Sequence, residues 1–304
     1  MAVTPYTLHG AYAAASGSEE VYTQSIAPLV RLAAAGGLGT VIAYGQTGSG
    51  KTFTIRALQR LAAAELLAAD GGGGGLWVSF FENMGDKCFD LLNGRAPLVL
   101  RDDGKGEMSV VGLAERSVGS ADEFDELLAA GNALRATKAT QSNDQSSRSH
   151  ALCTLRLGGP AGGKLQLDVV EHDAARIGEM QQINSSLGTL KECIRANLRR
   201  ATDEPNAHIP YRNSKLTMLL RAAFEHSRVG AGDGDGASAA PRSAVCFAAH
   251  VSPLRSQAKH TANTLEYAAQ MLQATMAERQ RAEFDEVTHP PPSSFCRGYK
   301  SSNP

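Results

Sequence analysis

The segment GQTGSGKT at residues 45–52 constrains this chain more than any other feature. It follows an apolar run at residues 40–44 that predicts a buried strand, and it opens a stretch from Thr52 to Ala69 that predicts a helix. Glycines in such a turn let backbone N–H groups converge on phosphate oxygens, and the helix N-terminus adds positive partial charge. Lys51 is suited to the β- and γ-phosphates and Thr52 to Mg²⁺. The segment predicts a phosphate site, rather than an empty glycine-rich turn, formed by Gly45, Gln46, Thr47, Gly48, Ser49, Gly50, Lys51 and Thr52.

The composition of the 304 residues is that of a folded protein without a strong charge bias. A hydrophobic fraction of 42% and a charged fraction of 20% exclude general disorder. Because 30 Lys and Arg face 31 Asp and Glu, an acidic partner must meet a local basic patch rather than a basic coat. Five cysteines without metal-ligand spacing indicate a reducing compartment. Neither a membrane span nor a secretory signal is predicted.

Alternating strand and helix patterns predict an α/β fold, in which helices cover both faces of a mixed central β-sheet. We predict one domain over residues 18–282, a weakly patterned N-terminus at 1–17 and a disordered Pro/Ser-rich tail at 283–304. The patterns also predict a helix from Ser18 with a break or kink at Pro28, an amphipathic helix from Ile183 to Leu198, and a helix from Asn213 to Phe224.

Several blocks of the sequence resemble, in the same order, the motifs of kinesin motor domains. Four segments of this chain are similar to kinesin motifs. They are AYGQTGSGKTFT (43–54) to the P-loop, NDQSSRSH (143–150) to the first switch, LDVV (167–170) to the end of the strand that carries the second switch, and HIPYRNSKLTMLL (208–220) to the microtubule-facing loop and helix. VSFFENMGDKCFDLLN and INSSLGTLKECIRA are most similar to the internal-motor, microtubule-depolymerising kinesins (kinesin-13 type), whose Lys-Glu-Cys signature matches residues 191–193. The resemblance implies one P-loop NTPase domain of the kinesin type that binds ATP or ADP with Mg²⁺, hydrolyses ATP and binds tubulin in microtubules. The implied location is the cytoplasmic cytoskeleton, with neither a nucleic-acid nor a membrane partner.

The resemblance also assigns roles to individual residues. The catalytic and switch residues are Asn143, Ser146, Ser147, Arg148, Asp168, Glu171 and Asp173. Ser147 and Asp168, the latter expected at the end of its strand, join Thr52 around Mg²⁺, partly through water. Phe53 either stacks on adenine or packs in the core. The predicted tubulin contacts are Lys191, Arg195, His208, Arg212, Lys215 and Arg221. Without the resemblance, the first-switch residues are interpreted as a solvated polar loop and Asp168 as an ordinary strand-terminal aspartate. The predicted tubulin contacts are then a solvated basic helix face.

The second switch departs from the family pattern Asp-x-x-Gly-x-Glu. Glu171 replaces the glycine whose N–H approaches the γ-phosphate, and Asp173 replaces a glutamate that pairs with Arg148. The first strand of the family, with its adenine contact, has no counterpart before Ser18. These changes predict a motor or depolymerase with weakened hydrolysis. The alternatives are a non-enzymatic microtubule-binding module with a degenerate second switch, and a P-loop ATPase or kinase without a cytoskeletal partner.

Overall fold

The computed structural model describes residues 4–71, 74–102, 108–141, 149–158, 163–172, 181–225 and 243–288. The strands are β1 (Leu38–Gln46), β2 (Leu76–Met84), β3 (Lys87–Asp90), β4 (Ala96–Asp102), β5 (Met108–Val111), β6 (Arg116–Val118), β7 (His150–Leu157), β8 (Lys164–His172) and β9 (Ser243–His250). The helices are α1 (Ser18–Val21), α2 (Ala27–Ala34), α3 (Lys51–Asp70), α4 (Ala121–Gln141), α5 (Gln181–Thr202), α6 (Lys215–Leu219), α7 (Arg221–Glu225) and α8 (Ala258–Thr288). In the described part of the chain, no helix has the length and apolar character needed to cross a bilayer.

The strands form one mixed sheet in the order β5-β4-β3-β2-β7-β8-β1-β9, with β6 pairing with β2. The strand β1 runs parallel to both of its neighbours, β8 and β9, while β7 runs antiparallel to β2 and β8. Among the described strands, β9 lies at one edge and pairs with β1 alone, and most of its residues are half-buried. The strand that leads into residues 45–52 is therefore one place from the edge of the sheet.

Alternation along β1 places hydrophobic residues on both faces of the sheet. Val41 and Ala43 pack with α2 and α3, whereas Ile42 and Tyr44 pack with α5 and α8. All four side chains are at most 2% exposed, so both faces of this strand are covered by helices. The predicted α/β fold, a mixed sheet between two helical layers, is confirmed.

Local sequence explains where the helices begin and break. The expected break or kink near Pro28 takes the form of a π-helical turn over Tyr22–Ile26, which joins α1 to α2, and Pro28 lies in the first turn of α2. The predicted helix over 213–224 is wrong in detail, since a 3₁₀ turn, α6 and α7 divide this segment. Ser214 is extended, and its Oγ accepts a hydrogen bond from the Thr217 N–H, so α6 starts anew there.

Two helices extend beyond the sequence expectations, α5 beyond Ile183–Leu198 and α8 beyond the domain end predicted at residue 282. The amphipathic pattern of α5 is confirmed, because Leu187, Leu190 and Ile194 are buried. Cys193 is buried in the same cluster, and burial raises the pKa of its thiol to about 12, as expected of a packing residue. The backbone of α8 is helical to Thr288, six residues past the predicted domain end at 282, and the rest of the predicted tail lies outside the described residues.

Candidate functional site

The turn between β1 and α3 has the backbone of a phosphate-binding loop. Gly48 and Gly50 have φ values of 82° and 93°, in the left-handed region that glycine adopts without a Cβ clash. Gly50 is the N-cap of α3, and no side chain caps this helix within the described residues. Because the N-cap is a glycine, it offers no side-chain acceptor to the first N–H groups of this 20-residue helix, which favours an anion there.

Lys51 is held over the loop by the loop's own carbonyl groups. Its Nζ donates to the Gly45 and Gln46 carbonyl oxygens at 2.8 Å and 2.9 Å, and the residue is only 3% exposed. The buried atoms Ser49 Oγ and Gln46 Oε1 have no hydrogen-bond partner among the described residues. A buried cation beside unpartnered polar atoms fits an anionic ligand such as a nucleotide phosphate.

Gly45 is required because β9 approaches its backbone closely. Gly45 has a φ of 154° and lies opposite His250 in the parallel pairing of β1 with β9. A Cβ at this position meets the His250 carbonyl oxygen at 2.1 Å. Sequence reasoning missed His250, since it is about 200 residues away in the chain and belongs to no phosphate-binding motif.

Replacing Gly45 with alanine should destabilise the protein by about 3 kcal/mol or more, because β1 and β9 must separate to admit the methyl group. The matched control is Gly48→Ala, which also has positive φ but has open space around its Cβ position. That change should cost only about 1 kcal/mol of backbone strain. Denaturant unfolding measures both variants, and equal losses of stability would contradict the close approach of β9.

The position of Asp168 differs from the expectation. It was expected to end its strand, but β8 continues to His172, and Asp168 pairs with Ile42 rather than with a loop residue. Three residues of strand, about 10 Å, separate Ile42 from Gly45. The LDVV block was expected to end the strand, whereas Glu171 and His172 also belong to β8, where they pair with Gly45 and Gln46 of β1.

The Asp168 carboxyl group is enclosed in the protein. It is 1% exposed, Oδ2 accepts a 2.5 Å hydrogen bond from Gln166 Nε2, and Oδ1 has no partner among the described residues. Burial raises its pKa well above the usual value, and the Gln166 hydrogen bond opposes that shift. Its predicted role near Mg²⁺ stays a prediction. At the level of Gly45, the residue of β8 is Glu171.

Most of the predicted switch residues lie outside the described residues: Asn143, Ser146, Ser147, Arg148 and Asp173. The last two residues of the first-switch block, Ser149 and His150, are described, however, and both are anchored. Ser149 donates from Oγ to Glu82 Oε2 at 3.0 Å, and its carbonyl oxygen accepts from Arg135 at 2.8 Å. His150 Nε2 lies 3.0 Å from Ser186 Oγ on α5, and burial lowers the His150 pKa to about 3. Arg135 Nε also lies 3.7 Å from Glu82 Oε2, and sequence reasoning missed this pair, both members of which contact Ser149 just before β7.

Phe53 and Thr52 both lie at the solvent-exposed start of α3. Phe53 is 78% exposed, which excludes the core role that the sequence left open. Stacking on adenine remains a prediction for this ring. Thr52 is also exposed, so its hydroxyl is accessible to a ligand at the loop.

The predicted tubulin contacts fall into two groups. Lys191 and Arg195 lie one turn apart on α5, and both contact the ring of Tyr267 on α8. Arg212 is 73% exposed and forms an ion pair with Asp102 at 2.7 Å, while Arg221 lies over the ring of Tyr211. His208 is exposed and Lys215 is half-buried. Tyr267 and Asp102 are further residues that the sequence motifs did not indicate.

Comparison with known proteins is consistent with this geometry. The family model of the kinesin motor domain matches residues 2–274. Diatom spindle kinesin-1 of Cylindrotheca fusiformis is 38% identical over 270 residues, which cover 83% of this chain and 40% of the relative. The kinesin-like protein KIN-13B of Arabidopsis thaliana is 37% identical over 276 residues, covering 83% of this chain and 37% of the relative. KIN-13A of Oryza sativa subsp. japonica is 33% identical over 303 residues, covering 88% of this chain and 35% of the relative.

This chain spans two fifths or less of the length of these three relatives, so the similarity concerns one domain of longer proteins. Two of the relatives have the KIN-13 name, in agreement with the resemblance to kinesins of the kinesin-13 type. The family model covers most of the chain, including the phosphate-binding loop and all six predicted tubulin contacts. The chain belongs to the kinesin motor domain family.

Proposed function

We propose that this chain is an ATP-binding motor domain that engages microtubules and hydrolyses ATP more slowly than ordinary motors. The observation that supports the nucleotide part most directly is the loop at residues 45–52. There, a buried Lys51 and an uncapped helix N-terminus meet in the order of a P-loop. The kinesin family membership supports the microtubule part.

The residues of the loop fit a nucleoside triphosphate. The N–H groups at the start of α3 and the Lys51 ammonium bind the phosphates, and the Thr52 hydroxyl is available to Mg²⁺. Bound Mg²⁺ supplies charge neutralisation at the phosphates. Phe53, exposed in the next position, provides a ring on which the base can stack. The donor set for Mg²⁺ beyond Thr52 depends on Ser147 and Asp168, both of which remain predictions.

Tubulin is the partner that best suits the basic residues of α5 and of the segment after it. Tubulin presents an acidic surface, and clustered cations speed encounter with such a partner and make binding depend on salt. The net charge of −1 means that this attraction must come from a local surface rather than from the whole chain. Lys191, Arg195, His208, Arg212, Lys215 and Arg221 supply that surface in this proposal.

Weakened hydrolysis is inferred from the second switch. Glu171 is part of β8 and pairs with Gly45, so its backbone takes part in the sheet beside the phosphate-binding loop. A glycine there would bring an N–H to the γ-phosphate without a side chain, whereas Glu171 adds a long anionic side chain. The same observation supports the second candidate, a kinesin-like module that binds microtubules without productive turnover.

Steady-state ATPase activity with and without microtubules distinguishes the two candidates. We expect slow turnover that microtubules stimulate, with Mg-ADP bound normally. Nucleotide binding without any microtubule-stimulated turnover would select the non-enzymatic module. Absence of cosedimentation with microtubules, together with ATP hydrolysis, would select a P-loop ATPase or kinase that has no cytoskeletal partner.

Neutralising Arg212 and Lys215 together, as Arg212→Gln with Lys215→Gln, should weaken microtubule binding about fivefold and flatten its salt dependence. The reason is that both cations belong to the predicted tubulin contacts, and Arg212 is 73% exposed. Cosedimentation over a range of salt concentrations measures the effect. Stability should change little, since exposed ion pairs contribute only about 0–1 kcal/mol.

The matched control for this pair is Asp102→Asn. It removes the carboxylate that pairs with Arg212 but keeps the arginine, so microtubule binding should stay equal or become tighter. If the double neutralisation leaves both affinity and salt dependence unchanged, the segment that includes Arg212 and Lys215 does not face tubulin.

A further inference from the structure

The residue immediately before the phosphate-binding loop, Tyr44, belongs to the core under α5 and α8. It is 2% exposed, and its ring lies 5.4 Å from that of Phe247 on β9. The ring of Tyr267 on α8 meets it edge-on, with centroids 6.3 Å apart and an interplanar angle of 79°. Such edge-to-face pairs have a preferred geometry, so a displacement of one ring changes the energetically favoured position of the other. The strand that forms the loop is thus in direct aromatic contact with α8.

Tyr267 in turn contacts two cations on α5. Lys191 Nζ lies 4.9 Å and Arg195 Cζ 5.5 Å from the centre of its ring, and Arg195 Nη2 donates to the Tyr267 hydroxyl at 3.2 Å. Tyr267 is only 6% exposed, and cation–π contacts become stronger where the cation is partly desolvated. Burial lowers the pKa of Lys191, with the Arg195 charge acting in the same direction. One ring therefore fixes two of the predicted tubulin contacts.

The other end of this path has two alternative partners for one cation. Lys51 donates to the Gly45 carbonyl oxygen in this structure, and Gly45 directly follows Tyr44 in β1. A phosphate bound at the loop competes for the same ammonium group. When Lys51 turns to a phosphate, the Gly45 carbonyl loses its charged donor, and the end of β1 that includes Tyr44 changes its surroundings. Competition between the loop carbonyl oxygens and a phosphate for Lys51 would therefore link loop occupancy to the end of β1, which is the link that a coupling path needs.

We propose that Tyr267 is a positioning residue that adjusts Lys191 and Arg195 for tubulin according to the occupancy of the phosphate-binding loop, which it senses through Tyr44. This inference rests on the proposed function and assigns a regulatory path to it. Coupling between two binding sites is reciprocal, so tubulin must change the nucleotide affinity by the same factor as nucleotide changes the tubulin affinity.

The test compares microtubule affinity, by cosedimentation, in ADP and in a non-hydrolysable ATP analogue. For the natural protein we expect the two affinities to differ by about fivefold to tenfold, the usual size of such couplings. Tyr267→Leu removes the ring, so the ratio of the two affinities should fall to within about twofold of unity, while nucleotide still raises the melting temperature. Tyr267→Phe keeps the ring contacts with Tyr44, Lys191 and Arg195, so it should preserve the ratio. Tyr267→Met provides a second, volume-conserving variant if the leucine variant does not fold.

The matched control is Tyr211→Leu. It also removes a buried ring from beneath a predicted tubulin contact, Arg221, in the same hydrophobic cluster. It should weaken binding equally in both nucleotides and leave the ratio unchanged. The inference is wrong if Tyr267→Leu or Tyr267→Met keeps the natural ratio of microtubule affinities in the two nucleotides, or if the natural protein has equal affinities in both. Either result leaves the proposed function standing. Failure of the natural protein to cosediment at all would overturn the proposed function and this inference with it.

Discussion

Lys51→Ala abolishes the rise in melting temperature that Mg-ATP or Mg-ADP gives the natural protein; this is the largest effect that we expect from a single substitution. A ligand at 100 times its Kd stabilises the native state by about 2.7 kcal/mol, provided that it binds only that state. The Lys51 ammonium is the buried cation at the loop, and its loss removes the main charge-assisted contact to the phosphates. Thermal unfolding with and without nucleotide measures the effect.

The comparison must use the nucleotide-dependent shift rather than the melting temperature itself. Without Lys51, the Gly45 and Gln46 carbonyl oxygens lose a charged donor, so the variant should be less stable even without nucleotide. Lys259→Ala is the matched control, because it removes an exposed lysine at the start of α8. It should keep the full shift. A natural protein with no nucleotide-dependent shift would show that the loop does not bind phosphate.

The paired change Glu171→Gly with Asp173→Glu should raise microtubule-stimulated turnover by up to about 10²-fold, the second large effect. Loss of one well-placed transition-state contact typically costs about 10²–10³ in rate, so restoring the family pattern should recover much of it. Either change alone should do less, because the two residues belong to one coupled switch. Steady-state ATPase measurements on the two single variants and the pair give the coupling directly.

Two controls separate the causes of this effect. Glu171→Gln removes the charge but keeps the side chain, so it reports electrostatic repulsion without the backbone freedom of glycine. Thermal shifts with Mg-ADP should be the same in all variants, since the change concerns turnover rather than capture. Natural turnover within the ordinary range of enzymes, about 1–10³ s⁻¹, and unimproved by the pair, would show that this chain tolerates Glu171.

Much of the fold could be predicted because local patterns and tertiary packing agree. A continuous apolar run precedes Gly45 and an Ala- and Leu-rich stretch follows Lys51, and the structure places β1 and α3 within a few residues of those expectations. The prediction of one helix over 213–224 was wrong, because helical periodicity does not reveal that Ser214 caps a new helix. The strand β8 continues to His172, two residues beyond the LDVV block at which the family motif suggested that it ends.

In the candidate site, residues that are contiguous in sequence could be predicted, whereas contacts from distant segments could not. Residues of the phosphate-binding loop are contiguous in sequence, so a motif alone identifies them. His250, Tyr267 and Asp102 contact site residues from distant segments, and a single sequence contains no local signal for such contacts. The exposure of Phe53 was likewise undetermined, because an aromatic residue on a helix suits both a core and a binding surface.

The edge position of β9 has a consequence for local opening of the domain. An edge strand has hydrogen-bonded neighbours on one side, so it belongs to the regions that open at the lowest free energy. Because β9 pairs along β1 and its His250 carbonyl lies against Gly45, each opening of that edge also releases one wall of the phosphate-binding loop. Nucleotide that tightens the loop must therefore slow amide hydrogen exchange in β9, which links ligand occupancy to the cooperative stability of the sheet edge.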